Sequence, residues 1–173
     1  VHKECSNDDS NKNNRNSEFV IGISLTGGWE AKRYKVPDYI DLIKRISSVY
    51  DAKFLLFGGN ERELADCNSI KEAVPDRTFI SPFSPIKYLA SMISRCSMVI
   101  GNDSGPLHIS AAMKVPTLGI YGPTNSGLAK PYGEKNLAVY NENLDCLGCG
   151  LLECNIGNIC MTELSKEKIM KNI

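Results

Sequence analysis

Val99-Ile-Gly-Asn-Asp-Ser-Gly-Pro-Leu-His-Ile-Ser-Ala-Ala-Met113 is the stretch that decides the fold. Met98-Val99-Ile100 is a short apolar run of the kind that makes a buried strand. Gly101 to Gly105 form a polar, turn-rich break, and Pro106 suits the first helical position, where its missing N–H forfeits no bond. Leu107, Ala111, Ala112 and Val115 then recur at helical spacing. Strand, tight turn and helix in that order place free backbone N–H groups, and the partial positive charge of a helix start, at the carboxyl edge of a sheet. An anion such as a diphosphate fits there. Every α/β protein has several such joints and most bind nothing. This one is distinguished by the small polar residues of its turn, Asn102, Asp103, Ser104 and Gly105, and by His108 one turn into the helix.

Working outward, Phe19 to Leu25 has the composition of a first buried strand, followed by a long Gly-bearing loop, Thr26 to Tyr34. Pro37 opens a helix whose apolar positions Ile40, Ile43, Ile46 and Tyr50 keep a period of three to four. Ala52 to Phe57 reads as the second strand, closed by the turn Gly58-Gly59-Asn60, and Glu61 to Ala73 as a helix. A short strand at Thr78 to Ile80, a joint containing Pro82 and Pro85, and a helix from Ile86 to Cys96 complete the run up to Met98. Beyond Val115, Pro116 to Tyr121 and Asn136 to Tyr140 read as strands and Leu164 to Ile173 as a closing helix. Strands alternating with helices at this spacing predict a parallel sheet covered on both faces, an α/β chain folded as a Rossmann-like α/β/α sandwich.

With 173 residues the chain suits one domain with a core that needs no disulfides. Twenty basic and twenty acidic residues balance, so bulk charge points to neither nucleic acid nor a membrane surface. No apolar run approaches the ~20 residues of a transmembrane helix, and nothing at the start resembles a signal peptide. The first residue is Val1, and the expectation is a piece of something longer. Ser6 to Ser17 contains no apolar residue; residues 1–17 are read as a flexible tail or linker, Asp8-Asp9 within it as solvated charge, and 18–173 as the folded domain.

In a parallel sheet the loops leaving the carboxyl ends of the strands gather on one edge. This brings together Thr26–Tyr34, Gly58–Glu61, Asn102–His108 and Gly122–Asn125. Thr26, Gly27 and Gly28 offer hydroxyl and backbone donors to a phosphate, and Lys32 a point charge, although Lys32 and Arg33 also suit an ordinary solvated loop. Glu61 can accept from ribose hydroxyls or simply complement the helix dipole. Trp29 lines the pocket or covers the sheet edge. His108 donates to phosphate or packs as a hydrogen-bonded residue.

Four of the seven cysteines form Cys146-x2-Cys149-x4-Cys154-x5-Cys160. The first pair is half of a zinc pattern, but the second lacks the spacing; structural zinc is possible and not favoured over free thiols or a redox-sensitive cluster. Cys67 and Cys96 lie on predicted helices as small buried hydrophobes.

Gly101-Asn-Asp-Ser-Gly-Pro-Leu-His108, with Ala111-Ala112, Val115-Pro116-Thr117 and Tyr121-Gly122-Pro123-Thr124 downstream, resembles the C-terminal half of glycosyltransferase family 9, the heptosyltransferases of bacterial lipopolysaccharide core synthesis. Gly27 to Tyr34 and Phe57 to Glu61 are similar to two further family segments in the expected order. The resemblance implies a GT-B arrangement in which this domain holds a nucleotide-sugar donor, ADP-heptose. It places Thr26 and Lys32 against the donor phosphates and Glu61 on the ribose, with Glu63 the alternative across a one-residue gap. Asp103, Ser104, Gly105 and His108 then surround the diphosphate and sugar, with Lys32 and Asp103 as the catalytic pair. A carboxylate beside a diphosphate is repulsive, so Asp103 is expected to pair with a cation such as Lys32, bond to loop N–H groups, or turn toward sugar hydroxyls.

By the same resemblance the glycolipid acceptor and the general base belong to an N-terminal domain absent from this sequence. The setting is the cytoplasm, with peripheral attachment at the inner face of the bacterial cytoplasmic membrane. No Asp-x-Asp pair is present to hold a divalent metal, so leaving-group stabilisation is expected to be metal-independent. Tyr34 stands where the family often has tryptophan. Two rival readings remain. A dinucleotide-dependent oxidoreductase domain is opposed by the absence of G-x-G-x-x-G after the first strand; the other is a non-catalytic nucleotide-binding domain.

Overall fold

The computed structural model describes residues 18–173; the proposed tail, 1–17, lies outside them. Six parallel strands form one sheet: β1 (Phe19–Ser24), β2 (Ala52–Phe57), β3 (Thr78–Ile80), β4 (Met98–Asn102), β5 (Thr117–Ile120) and β6 (Asn136–Val139). Their spatial order is β3-β2-β1-β4-β5-β6. The chain therefore starts in the middle, runs to one edge, and returns past β1 to build the other half. The reversal between β1 and β4 is a topological switch point, where the loops leaving neighbouring strands diverge to opposite faces and open a crevice at the carboxyl edge.

Helices α1 (Val36–Val49), α2 (Glu61–Ala73), α3 (Ile86–Ile93) and α4 (Gly105–Ala112) make the first four crossovers and the short α5 (Ser126–Ala129) lies in the fifth; α6 (Ile159–Thr162) and α7 (Lys166–Met170) are short and follow β6. Alternation along the strands sorts the core into two layers. Ile21, Ile23, Phe54, Leu56 and Ile100 pack with Leu42, Ile43 and Ile46 of α1 and Ile70 of α2. Phe57 and Val99, on the other face, pack with Ile93, Leu107 and Val115. A sheet covered on both faces needs apolar residues at successive positions, which is why the strands read as near-continuous apolar runs.

Two glycines let the central strands approach. A Cβ on Gly22 would stand 2.8 Å from the Phe57 ring, and one on Gly101 2.7 Å from the carbonyl oxygen of Ser24 on the neighbouring strand.

Most sequence-based boundaries shift by a residue or two, and three differences have a visible cause. α3 stops at Ile93 because its last turn tightens: the Arg95 and Cys96 N–H groups bond to Met92 and Ile93 three residues back, so Cys96 is buried beyond the helix. The closing helix begins at Lys166, since Leu164 is a core residue and the Ser165 hydroxyl caps the Lys168 N–H. The Gly-bearing loop after β1 contains one 3₁₀ turn, Glu30–Lys32.

Candidate functional site

The crevice lies between the loop after β1 and the start of α4. Asn102, the last residue of β4, fastens the two together. It is fully buried, its Oδ1 accepts from the Tyr34 N–H (2.9 Å) and the Tyr39 hydroxyl (3.1 Å), and its Nδ2 donates to the carbonyls of Leu25 (3.2 Å) and Thr26 (3.3 Å). Both donors and both lone pairs of the amide are thereby used, so Asn102 is scaffold rather than ligand contact. Burial pushes the Tyr39 hydroxyl far above its ordinary pKa, which keeps it a neutral donor to Asn102.

Asp103 follows on the crevice side. Its Oδ2 lies 2.7 Å from Lys32 Nζ, with the two side chains only 9% and 12% exposed. The same ammonium sits 3.8 Å from the centroid of the Trp29 ring, so Trp29 forms the floor under Lys32. Ser104 is the N-cap of α4 but sends no side-chain bond into the helix; its hydroxyl donates instead to the Asn102 carbonyl at 3.0 Å. Gly105 is exposed and no atom lies within 4 Å of where its Cβ would be. The first turn of α4 is thus open at Gly105 and His108, just after the Asp103 that pairs with Lys32. His108 is exposed on α4, which removes the reading of it as a packed core residue.

The loop after β1 is also tied to α2. Glu63 is 1% exposed; its Oε1 accepts from the Gly27 N–H (3.3 Å) and Arg33 Nη1 (3.4 Å), and its Oε2 from the Gly59 N–H (2.7 Å). Arg33, itself buried, continues to Asp66. On the outside, Glu30 pairs with Lys35 and Arg62, and the hydrogen bond from Lys35, reinforced by Arg62, holds its carboxyl below the ordinary range. Glu61 is exposed at the first position of α2. Of the two glutamates weighed for a ribose contact, Glu61 therefore has free oxygens and Glu63 has its oxygens committed.

A two-part cleft runs from α4 toward Glu61. The inner part, about 190 Å³, lies between Thr26, Pro106, the Gly58-Gly59 turn and Ser81 to Ser84. The outer part, about 500 Å³, is bounded by Gly58 to Glu61, Leu64 and Phe83. Phe83 walls both parts and is 76% exposed. Sequence reasoning passed over it, although an aromatic between Pro82 and Pro85 in a predicted carboxyl-edge loop is a signal for a planar ligand.

The cysteine segment lies to one side. Cys146, Cys149, Cys154 and Cys160 line a cavity of about 90 Å³ with Ala31 and Pro123. Burial, with the neighbouring thiols adding to it, pushes the Cys160 thiol up to about 11. Among the described residues no group of three or more His, Cys, Asp or Glu side chains is arranged to hold a metal ion, so the zinc alternative at these cysteines has no support.

Thr26 and Glu61 line the two-part cleft, and Lys32 pairs with Asp103 just before α4, whose first turn leaves Gly105 and His108 exposed. The model of glycosyltransferase family 9 (heptosyltransferase) matches residues 2–159. Lipooligosaccharide heptosyltransferase 2 of Campylobacter jejuni subsp. jejuni serotype O:2 is 29% identical over 163 residues, which take in 91% of this chain and 50% of that protein. Among solved structures, E. coli heptosyltransferase WaaC with ADP matches with a TM-score of 0.73 at 17% identity, over 92% of this chain and 46% of that one. The glycosyl transferase family 9 structure from Veillonella parvula matches at 0.69 and 22%, over 91% and 45%. The chain spans about half the length of these relatives, and its sandwich is the Rossmann-like half of their GT-B fold. By its sequence and its fold this chain belongs to glycosyltransferase family 9, the heptosyltransferase family.

Proposed function

We propose that residues 18–173 form the donor-binding domain of a heptosyltransferase, holding ADP-heptose for transfer to a hydroxyl of a lipopolysaccharide-core acceptor. One observation carries the reading: Lys32, on its Trp29 floor, stands beside the open first turn of α4 at the switch point of the sheet. Two solved structures of similar fold are those of E. coli heptosyltransferase WaaC with ADP and with ADP-2-deoxy-2-fluoro heptose, which supports an adenine nucleotide as the ligand class. The diphosphate lies against Thr26, Gly27, Gly28, Ser104 and Gly105; the ribose reaches Glu61, the base lies along Phe83, and the sugar faces Asp103 and His108.

Cleavage of the sugar–phosphate bond places negative charge on the departing diphosphate and positive character on the anomeric carbon. Lys32 and the α4 N–H groups stabilise that charge more in the transition state than in the ground state, which lowers the barrier. Asp103 holds Lys32 in place before the donor arrives and neutralises it between turnovers. The acceptor and the base that deprotonates it come from the other half of the GT-B arrangement, at the inner face of the cytoplasmic membrane. Among the described residues, no helix is long and apolar enough to cross a membrane.

Calorimetric titration with ADP, UDP, GDP and NAD tests the reading. ADP is expected to bind most tightly, and Lys32→Ala to weaken it at least tenfold, a loss of about 1.4 kcal/mol or more. Preferential NAD binding, or ADP binding indifferent to Lys32, would overturn the assignment.

A further inference from the structure

Glu63 occupies the third position of α2, three residues after its N-cap, Asn60, whose side chain accepts from the Glu63 N–H at 3.0 Å. In an ordinary capping box such a glutamate reaches back to the N-cap N–H and stays at the surface. Here one carboxylate oxygen reaches one residue further back, to the Gly59 N–H, and the other leaves the helix altogether for Gly27, 36 residues away in sequence. Burial of a carboxylate is costly unless its lone pairs are satisfied, and the Gly27 N–H and the Arg33 guanidinium satisfy them. The approach also constrains the turn itself, since a Cβ on Gly58 would lie 3.0 Å from the Glu63 carbonyl carbon.

We propose that Glu63 is a positioning residue for the nucleotide site: its carboxylate clamps the loop that carries Lys32 to the Gly58-Gly59 turn that leads into Glu61, and so fixes the distance between the phosphate and ribose ends of the cleft. The proposal rests on the donor-site reading above and assigns Glu63 no contact with the ligand. A clamp inside the protein spares the nucleotide the cost of ordering two loops on binding.

The test uses the 173-residue chain with three readouts: ADP affinity by calorimetry, melting temperature, and amide hydrogen exchange in the loop after β1. Glu63→Gln keeps the side-chain shape but replaces one acceptor oxygen by a donor. It is expected to weaken ADP at least tenfold and to speed exchange at Gly27 and Gly28. Ile70→Val trims the buried side of the same helix away from the cleft; it is expected to lower the melting temperature without changing ADP affinity. Should Glu63→Gln fail to fold, Glu63→Asp keeps the charge beside Arg33 with one methylene less reach, and the same loss is expected. Wild-type ADP binding together with a glutamine or aspartate variant that binds within twofold would overturn the clamp and leave the donor site standing. No ADP binding by the wild-type chain would overturn the donor site, and the positioning role with it.

Discussion

Asp103 and Lys32 pair at 2.7 Å, which is one of the options open to Asp103 at the sequence level. In the proposed site the carboxylate competes with the nucleotide for the same ammonium. Asp103→Asn removes that competition and the like-charge repulsion together. It is expected to tighten ADP about tenfold, ~1.4 kcal/mol, while slowing sugar transfer in the full-length enzyme; calorimetry and a turnover assay check the two halves separately. The turn Asn102 to Gly105 stood out in the sequence as small polar residues between an apolar strand and a Pro-led helix, but that Asn102 fastens the loop after β1 did not. The choice between Glu61 and Glu63 was not legible there either. Two residues apart on a helix, they point roughly 200° from each other, and only the packing of α2 against the sheet shows that Glu63 is the inward one. Phe83 was missed for a related reason: exposure is a property of the assembled loops.

At the scale of elements, near-continuous apolar runs located the six strands, and turn signals with apolar spacing of three to four located the first four crossover helices. A strand covered on both faces is apolar at successive positions, while a helix shows one apolar face. Helix ends followed capping chemistry where a cap existed. Asn60 accepts from the Glu63 N–H; Asn60→Ala removes that bond and is expected to cost about 1 kcal/mol, read from the urea midpoint at unchanged slope. Ends without a side-chain cap, such as α3 at Ile93, were set by 3₁₀ bonds that no residue type announces. The segment from Asn141 to Asn158 contains no helix or strand and is held by backbone bonds from Gly148 to Gly122 and from Gly150 to Pro123. Both glycines have a φ of +73°, a conformation that side chains disfavour.

For the molecule as a whole, three buried thiols couple stability to alkaline pH. Burial pushes Cys67 up to about 12 and Cys96 and Cys160 up to about 11, from an ordinary value of 9.0. The fold keeps these groups protonated while the unfolded chain releases its protons first, so their contribution is intact below pH 9.0 and is lost as pH rises through the folded values. The melting temperature is expected to fall steadily above that point under reducing conditions, and Cys67→Ala, whatever its offset, to flatten the decline. The sequence by itself determined the class of fold, a parallel sheet with covered faces, and the strand–turn–helix joint from Met98 through Pro106, because apolar runs and turn chemistry are local and survive without partners. Tertiary structure alone decided that the loops after the paired β1 and β4 part to opposite faces, that Asn102 and Glu63 are fastenings with their polar atoms committed inside the protein, and that Lys32 meets Asp103 across 71 residues of chain. Those outcomes depend on which groups lose water together, and that is settled only when distant segments pack.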